Sequence, residues 1–280
     1  MWYFLIKIIM TQYFRYAQIV MGPAGSGKSM YCNIIQQHAD TLGRTVRVMN
    51  LDPAAEYFKY RCDIDIRELV TLDDVMQELE LGPNGGLVTA IEYLIENTDW
   101  LRDQLDGLGD DDYILIDCPG QIELYTHMTV MKDFVKTLKD IGFSVGGVYC
   151  IDCTFLSDPT KYISASLMAL AAMNQLEVPH TNILTKCDLI SNKESLEEML
   201  DTDPSEIALG IAKSAYSAKF KSFTESIAKV LTEFNLVQFI PLDLSDEDSI
   251  RNVVYQIDQS IQYGENLESK INEDAMEQDY

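Results

Sequence analysis

A chain of 280 residues, 47% of them hydrophobic, can bury a sizeable core and suits one large α/β domain. Its 45 acidic residues against 21 basic ones give a formal charge of −24, which disfavours nonspecific attraction to nucleic acid or anionic membrane and suits a basic partner surface. Six cysteines lie scattered along a chain in which no signal peptide is read, the usage of a reducing cytosolic or nuclear setting, so no disulfide framework is expected.

The apolar start, Met1 to Met10, is interrupted by Lys7 and too short to span a bilayer, and no small-residue cleavage site follows it. Residues 1–12 read as an N-terminal extension, with Met10 as an alternative start, ahead of a domain over 13–264. Tyr16 to Met21 is an apolar run suited to a buried strand, and Ser29 to Leu42 has the composition of a helix. Between them, Gly22-Pro23-Ala24-Gly25-Ser26-Gly27-Lys28-Ser29 fits G-x-x-x-x-G-K-[ST] in the strand-to-helix setting that gives the pattern meaning. The glycines let successive N–H groups face phosphate oxygens at a positive helix end. Lys28 is placed to reach the outer phosphates, and the Ser29 hydroxyl is the expected direct Mg²⁺ ligand.

Thr45 to Asn50 reads as a second strand running into Leu51-Asp52-Pro53. Pro53 keeps the preceding residue out of helix, so Asp52 leaves the carboxyl end of a strand, where open parallel sheets bind ligands. Asp-Pro is also an ordinary turn opening. Asp73 to Leu79 is a short helix, and a longer one is expected from about Leu87 to Leu105. By composition the intervening Gly82-Pro83-Asn84-Gly85-Gly86 is a plain helix-to-helix turn.

Tyr113 to Ile116 is an apolar strand that delivers Asp117 and then a Pro119-Gly120 turn, a Walker B pattern. Asp117 suits the second shell of Mg²⁺, and the Gly120 N–H suits a γ-phosphate contact. Gln121 and Glu123 follow, either to orient an attacking water or as solvated loop residues. Ser144 to Asp152 is a fourth strand; Cys150 and Cys153 form C-x-x-C but lack the second pair of a zinc site. After a helix over Lys161 to Leu176, the fifth strand Thr181 to Thr185 leads into Lys186-Cys187-Asp188. A carboxylate at Asp188 can accept from both N1–H and the exocyclic amine of guanine, while the Lys186 stem covers the base. T-K-x-D is weak alone, but its order after the other two motifs makes guanine the favoured base.

Residues from about 191 to 235 read as a helical insertion, Gln238 to Pro241 as a last strand, and Leu242-Asp243 as a base-side loop. Asp246 to Tyr263 is a closing helix, and 265–280 an acidic, disordered tail. The alternation predicts an α/β fold with a mainly parallel sheet covered by helices on both faces.

Taken together, G-P-A-G-S-G-K-S at 22–29, N-L-D-P-A-A-E at 50–56, G-P-N-G-G at 82–86, D-C-P-G-Q-I-E-L-Y-T-H at 117–127 and T-K-C-D at 185–188 resemble the GPN-loop GTPases. The resemblance spans about Arg15 to Leu267 and is strongest to the third eukaryotic paralogue type, through P-L-D-L-S-D-E-D-S-I at 241–250 and I-Q-Y-G-E at 261–265. It implies GTP hydrolysis with GTP/GDP and Mg²⁺ bound, and Gly82-Pro83-Asn84 reaching across a dimer toward the partner's γ-phosphate. It further implies that Asp52 and Glu56 lie in a first switch, and Gln121 and Glu123 in a second. Whether Asp52 meets Mg²⁺ or water stays open. Pro23 stands where related dimeric ATPases carry an extra lysine, and no arginine finger is evident.

For partners the resemblance implies a heterodimer with the first-type paralogue, or a homodimer, and RNA polymerase II subunits as clients. It implies a cytoplasmic protein that shuttles to the nucleus, with no direct nucleic acid or membrane contact. A nucleotide-switched assembly factor with little turnover is the alternative to an active GTPase, and phosphoryl transfer to another acceptor a distant third.

Overall fold

The computed structural model describes residues 15–106, 113–190 and 237–264, with isolated positions between 200 and 230. Both chain ends, 1–12 and 265–280, lie outside the described residues, as does nearly all of the helical insertion expected at 191–235. The strands are β1 (Arg15–Met21), β2 (Val46–Asn50), β3 (Ile64–Asp65), β4 (Tyr113–Asp117), β5 (Phe143–Asp152), β6 (His180–Thr185) and β7 (Phe239–Pro241). They form one sheet in the order β3-β2-β4-β1-β5-β6-β7, and every described pair is parallel. The mainly parallel sheet expected from sequence is therefore wholly parallel over the described residues.

Burial on both faces accounts for the near-continuous apolar character of the strands. Along β1 the side chains alternate: Ala17, Ile19 and Met21 enter one core layer, Tyr16 and Val20 the other. On the second layer lie α1 (Lys28–Thr41), through Tyr31, Cys32 and Ile35, and a C-terminal helix over Glu247–Ser260, through Val253 and Ile257. The first layer takes α2 (Leu72–Leu79), α3 (Pro83–Glu96), α4 (Thr98–Asp106), α5 (Glu123–Thr126), α6 (Val130–Ile141) and α7 (Pro159–Leu176). The C-terminal helix, α8, is tied to the sheet by Arg44, whose guanidinium donates to both oxygens of Asp258 at 2.6 and 3.1 Å. That guanidinium also lies 4.3 Å from the Tyr113 ring centre and 3.8 Å from that of Tyr263.

The stretch 82–106 departs from expectation twice. Gly82 to Gly86 is not a free turn: Gly82 caps α3 in extended conformation, Pro83 occupies its first turn, and Asn84 to Gly86 are already helical. Proline suits that position because its fixed φ is helical and its missing N–H has no intrahelical partner there. Gly86 lets α2 and α3 approach, since a Cβ there would lie 2.9 Å from Leu72 Cδ1 and 3.1 Å from Met76 Cγ. The long helix then breaks at Asn97, whose Nδ2 turns back to donate to Tyr93 O at 2.7 Å, and α4 follows as a separate element.

Candidate nucleotide site

β1 stops at Met21 because Gly22 turns away with φ +140°, passing so close to β5 that a Cβ would lie 2.2 Å from the Cys150 carbonyl oxygen. The loop closes on itself through Ser26 N–H to Pro23 O at 3.1 Å, beside Ala24, and Gly25 and Gly27 both have positive φ before α1 begins at Lys28. Lys28 folds over this loop, its Nζ donating to Gly22 O and Pro23 O at 3.1 Å each. The ammonium is thus buried above the loop that the motif reserves for phosphate. The Thr185 hydroxyl lies between Ser26 O and Ile151 O, the latter at 3.1 Å, and staples the loop to the end of β5.

Register brings the carboxylates to this end of the sheet, since Asp117 of β4 pairs with Val20 of β1 and Asn50 of β2. Burial pushes the Asp117 carboxyl above its usual range, against the pull of Ser29, Tyr60 and Lys28. Tyr60 donates to its Oδ2 at 3.0 Å, whereas Oδ1 is buried with no hydrogen-bond partner. Burial likewise raises Asp52, opposed by the Ala54 N–H at 2.9 Å and by the charges of Lys28 and Arg67. Asn50 fixes the approach to Asp52: it accepts from Asp52 N–H at 3.0 Å and donates to Asp52 O and Asp65 Oδ1, both at 2.9 Å. A buried carboxylate oxygen left open beside a hydroxyl and a second carboxylate is the donor set of a hard, hydrated cation, so Ser29, Asp117 and Asp52 fit Mg²⁺.

Gly120 sits directly on the phosphate loop, for a Cβ there would lie 2.8 Å from Ala24 Cα. Gln121 donates from Nε2 to Asn84 Oδ1 at 3.0 Å within the same chain. The resemblance aims Asn84 at a partner's phosphate, and within this one chain its amide oxygen accepts from Gln121. Glu123 opens α5 and is exposed, as is Glu56.

An open cleft of about 490 Å³ runs from the phosphate loop to Lys186, Asp188 and Leu242, with Tyr57 and Lys59 among its lining residues. Lys186 has φ +62° and its ammonium lies 2.5 Å from Asp152 Oδ2. Asp152 also accepts from the Thr154 N–H at 2.9 Å. Burial opposes charge on Asp152, yet the Lys186 and Thr154 contacts outweigh it and hold the carboxyl below its usual range. Leu242 continues the line of β7, donating to Leu184 O at 2.8 Å and accepting from Cys187 N–H at 3.3 Å. It is buried and braces the turn at Cys187, while Asp188 is exposed at the cleft.

A family model described as "Conserved hypothetical ATP binding protein" matches residues 20–263. The chain is 48% identical over 259 residues to GPN-loop GTPase 3 of Dictyostelium discoideum, spanning 91% of this chain and 90% of that protein. It is 49% identical over 260 residues to GPN-loop GTPase 3 of Danio rerio, with 91% of each chain covered. The chain belongs to the GPN-loop GTPase family. Its fold matches that of an apo-form GTPase from Pyrococcus abyssi with a TM-score of 0.70, at 23% identity, covering 88% of this chain and 97% of that one.

Within this GPN-loop GTPase the sequence motifs converge on one end of the sheet, while Tyr57, Lys59, Tyr60 and Asp152 join them without having been singled out. Asp152 carried a readable signal, since it ends an apolar strand as Asp117 does. Asp152→Asn is expected to weaken GTP binding about fivefold, near 1 kcal/mol after allowing for the partly exposed Lys186. Titration of a fluorescent guanine nucleotide checks this, and unchanged affinity would mean that Lys186 needs no tether.

Proposed function

We propose that this protein binds GTP with Mg²⁺ and hydrolyses it to GDP and phosphate. The observation that carries the reading is the buried Asp117 Oδ1, without a hydrogen-bond partner, behind Lys28 and Ser29, which line a cleft that runs to Asp188. Residues 22–29 wrap the phosphates with N–H groups, and Lys28 exchanges its two loop carbonyls for phosphate oxygens. Bound there, Mg²⁺ would supply neutralisation of the charge that develops on phosphate oxygens. Ser29 would hold that ion directly and Asp117 from its second shell, Asp52 would either join them or align water, and the Gly120 N–H would face the γ-phosphate side. Asp188 selects guanine over adenine, in keeping with the GTPase names of the relatives rather than with the ATP of the family description.

Dimerisation supplies the rest of this reading. Leu79, at the end of α2, and Tyr93, on the helix that Gly82-Pro83-Asn84 opens, are 54% and 45% exposed, an apolar setting suited to a second copy or to the first-type paralogue. Clients among RNA polymerase II subunits, and movement from cytoplasm to nucleus, are carried forward from the resemblance alone. A nucleotide-switched assembly factor draws support from the Gln121–Asn84 hydrogen bond, which engages a candidate water-orienting amide within one chain.

Mg²⁺-dependent phosphate release, followed against protein concentration and with the paralogue added, separates these readings. A rate per subunit that rises with partner, and loses that rise in Asn84→Ala, supports a site completed across a dimer. Negligible turnover throughout, with GTP bound, favours the assembly factor. Asp188→Asn is expected to lower GTP affinity roughly a hundredfold while gaining xanthosine triphosphate, because donor and acceptor roles reverse. Retained GTP affinity in that variant would remove Asp188 from the base site.

A further inference from the structure

The segment 57–60 has two sides. Tyr57 and Lys59 are exposed and line the nucleotide cleft, whereas Tyr60 is buried and reaches Asp117. Because the Tyr60 hydroxyl occupies Oδ2 at 3.0 Å, Oδ1 is the oxygen left open. A phenol suits this task better than a cation. It restrains carboxylate rotation without cancelling the negative charge that attracts a metal, and outer-shell donors of this kind orient ligating groups.

The tyrosine is itself held firmly. Its ring stacks on Phe58 at 5.2 Å and an interplanar angle of 25°. Arg67 stands 4.6 Å over Phe58 and donates to Ala55 O at 2.7 Å, bracing the segment that begins at Asp52. Immediately after Tyr60 the Arg61 backbone is clamped by Gln36, which accepts from its N–H at 2.9 Å and donates to its carbonyl at 3.1 Å. Gln36 lies on α1, the helix that opens with Lys28 and Ser29. Tyr60 is therefore fixed relative to both halves of the metal site, the Ser29 end of α1 and the Asp117 end of β4.

We propose that Tyr60 is the positioning residue of the Mg²⁺ site: its hydroxyl fixes the Asp117 carboxylate with Oδ1 presented to the ion's hydration shell, and so links the cleft-lining segment 57–60 to metal affinity. This inference rests on the Mg²⁺–GTP reading above.

The test measures how strongly Mg²⁺ tightens a fluorescent GTP analogue on the full chain, as the ratio of dissociation constants in EDTA and in saturating Mg²⁺. Tyr60→Phe keeps the ring and its stacking and deletes only the hydroxyl. The expected result is a ratio about tenfold smaller in Tyr60→Phe, with EDTA binding unchanged. Mn²⁺ titration followed by electron paramagnetic resonance should show the same loss of metal affinity at fixed GDP. An unmoved ratio in Tyr60→Phe, with a normal ratio in wild type, overturns the Tyr60 assignment alone. Equal weakening in EDTA and in Mg²⁺ also overturns it, marking the hydroxyl as structural. A wild-type chain that binds GTP equally in both conditions overturns the Mg²⁺ reading itself, and this inference with it.

Discussion

Lys28→Met is expected to lower kcat/KM for GTP by about 10² to 10³, the loss typical of deleting one charge-stabilising donor from a catalytic site. Methionine keeps much of the side-chain length and stays compatible with a helix start, so the change removes the charge and little of the packing. Three consequences follow from what the ammonium touches. Gly22 O and Pro23 O lose the donor that reaches them at 3.1 Å. Phosphate oxygens lose their only motif-supplied cation, since position 23 is proline. Asp52 and Asp117, whose carboxyls burial already raises, lose a charge that pulls both back toward ionisation, which weakens them as metal-side groups. Phosphate-release kinetics measure the loss, with thermal melting to show that the chain still folds. A kcat/KM within a factor of about three of wild type would mean that Lys28 is a loop brace only.

Two motifs were legible because each stands where a strongly apolar strand ends: β1 hands over to Gly22 and β4 ends on Asp117. β6 has only Ile183 and Leu184 as apolar residues, and Thr185-Lys186 is read instead from its order after the other motifs. Misreadings fell where local chemistry supports more than one geometry. Proline, asparagine and glycine at 83–86 serve a turn or a helix start equally well, and the approach of Leu72 and Met76 to Gly86 decides for the helix. β3 has two residues, too few for any period, and is defined by its pairing with Met49 and Asn50. The break at Asn97 did have a local sign, Asn97-Thr98-Asp99, a helix-start signature inside what reads as one long helix.

What sequence could not reveal is the layer behind the motifs. Tyr60 and Asp117 are 57 residues apart, and Asp152 and Lys186 are 34 apart. Sheet register alone brings Asp152 beside Thr185, and only then does a tether for Lys186 exist. Motif residues are constrained by a ligand whose chemistry is known in advance, so their types can be reasoned out one by one. Their supports are constrained by topology, and any residue able to donate or accept at the right place would serve.

Gly22→Ala is expected to destabilise the fold by about 3 kcal/mol or more, combining a strained dihedral with a clash against backbone. The added Cβ would meet Cys150 O at 2.2 Å and Ser26 Oγ at 2.9 Å, with φ at +140°. Cys150 is buried within β5, whose pairing with β1 runs through Met21, so the carbonyl cannot retreat without opening the centre of the sheet. For a domain of this size that loss corresponds to a melting temperature lower by roughly 10 °C. Gly43→Ala is the matched comparison. Its φ is +68° but nothing lies within 4 Å of its Cβ, so it carries the dihedral penalty without the clash, about 1 kcal/mol. Differential scanning fluorimetry of both variants measures the contrast, and GTP should stabilise Gly43→Ala but not Gly22→Ala. Equal melting temperatures, with GTP bound by both, would mean that the loop shifts freely against β5, and the close approach at Gly22 would then have no part in holding the phosphate cradle.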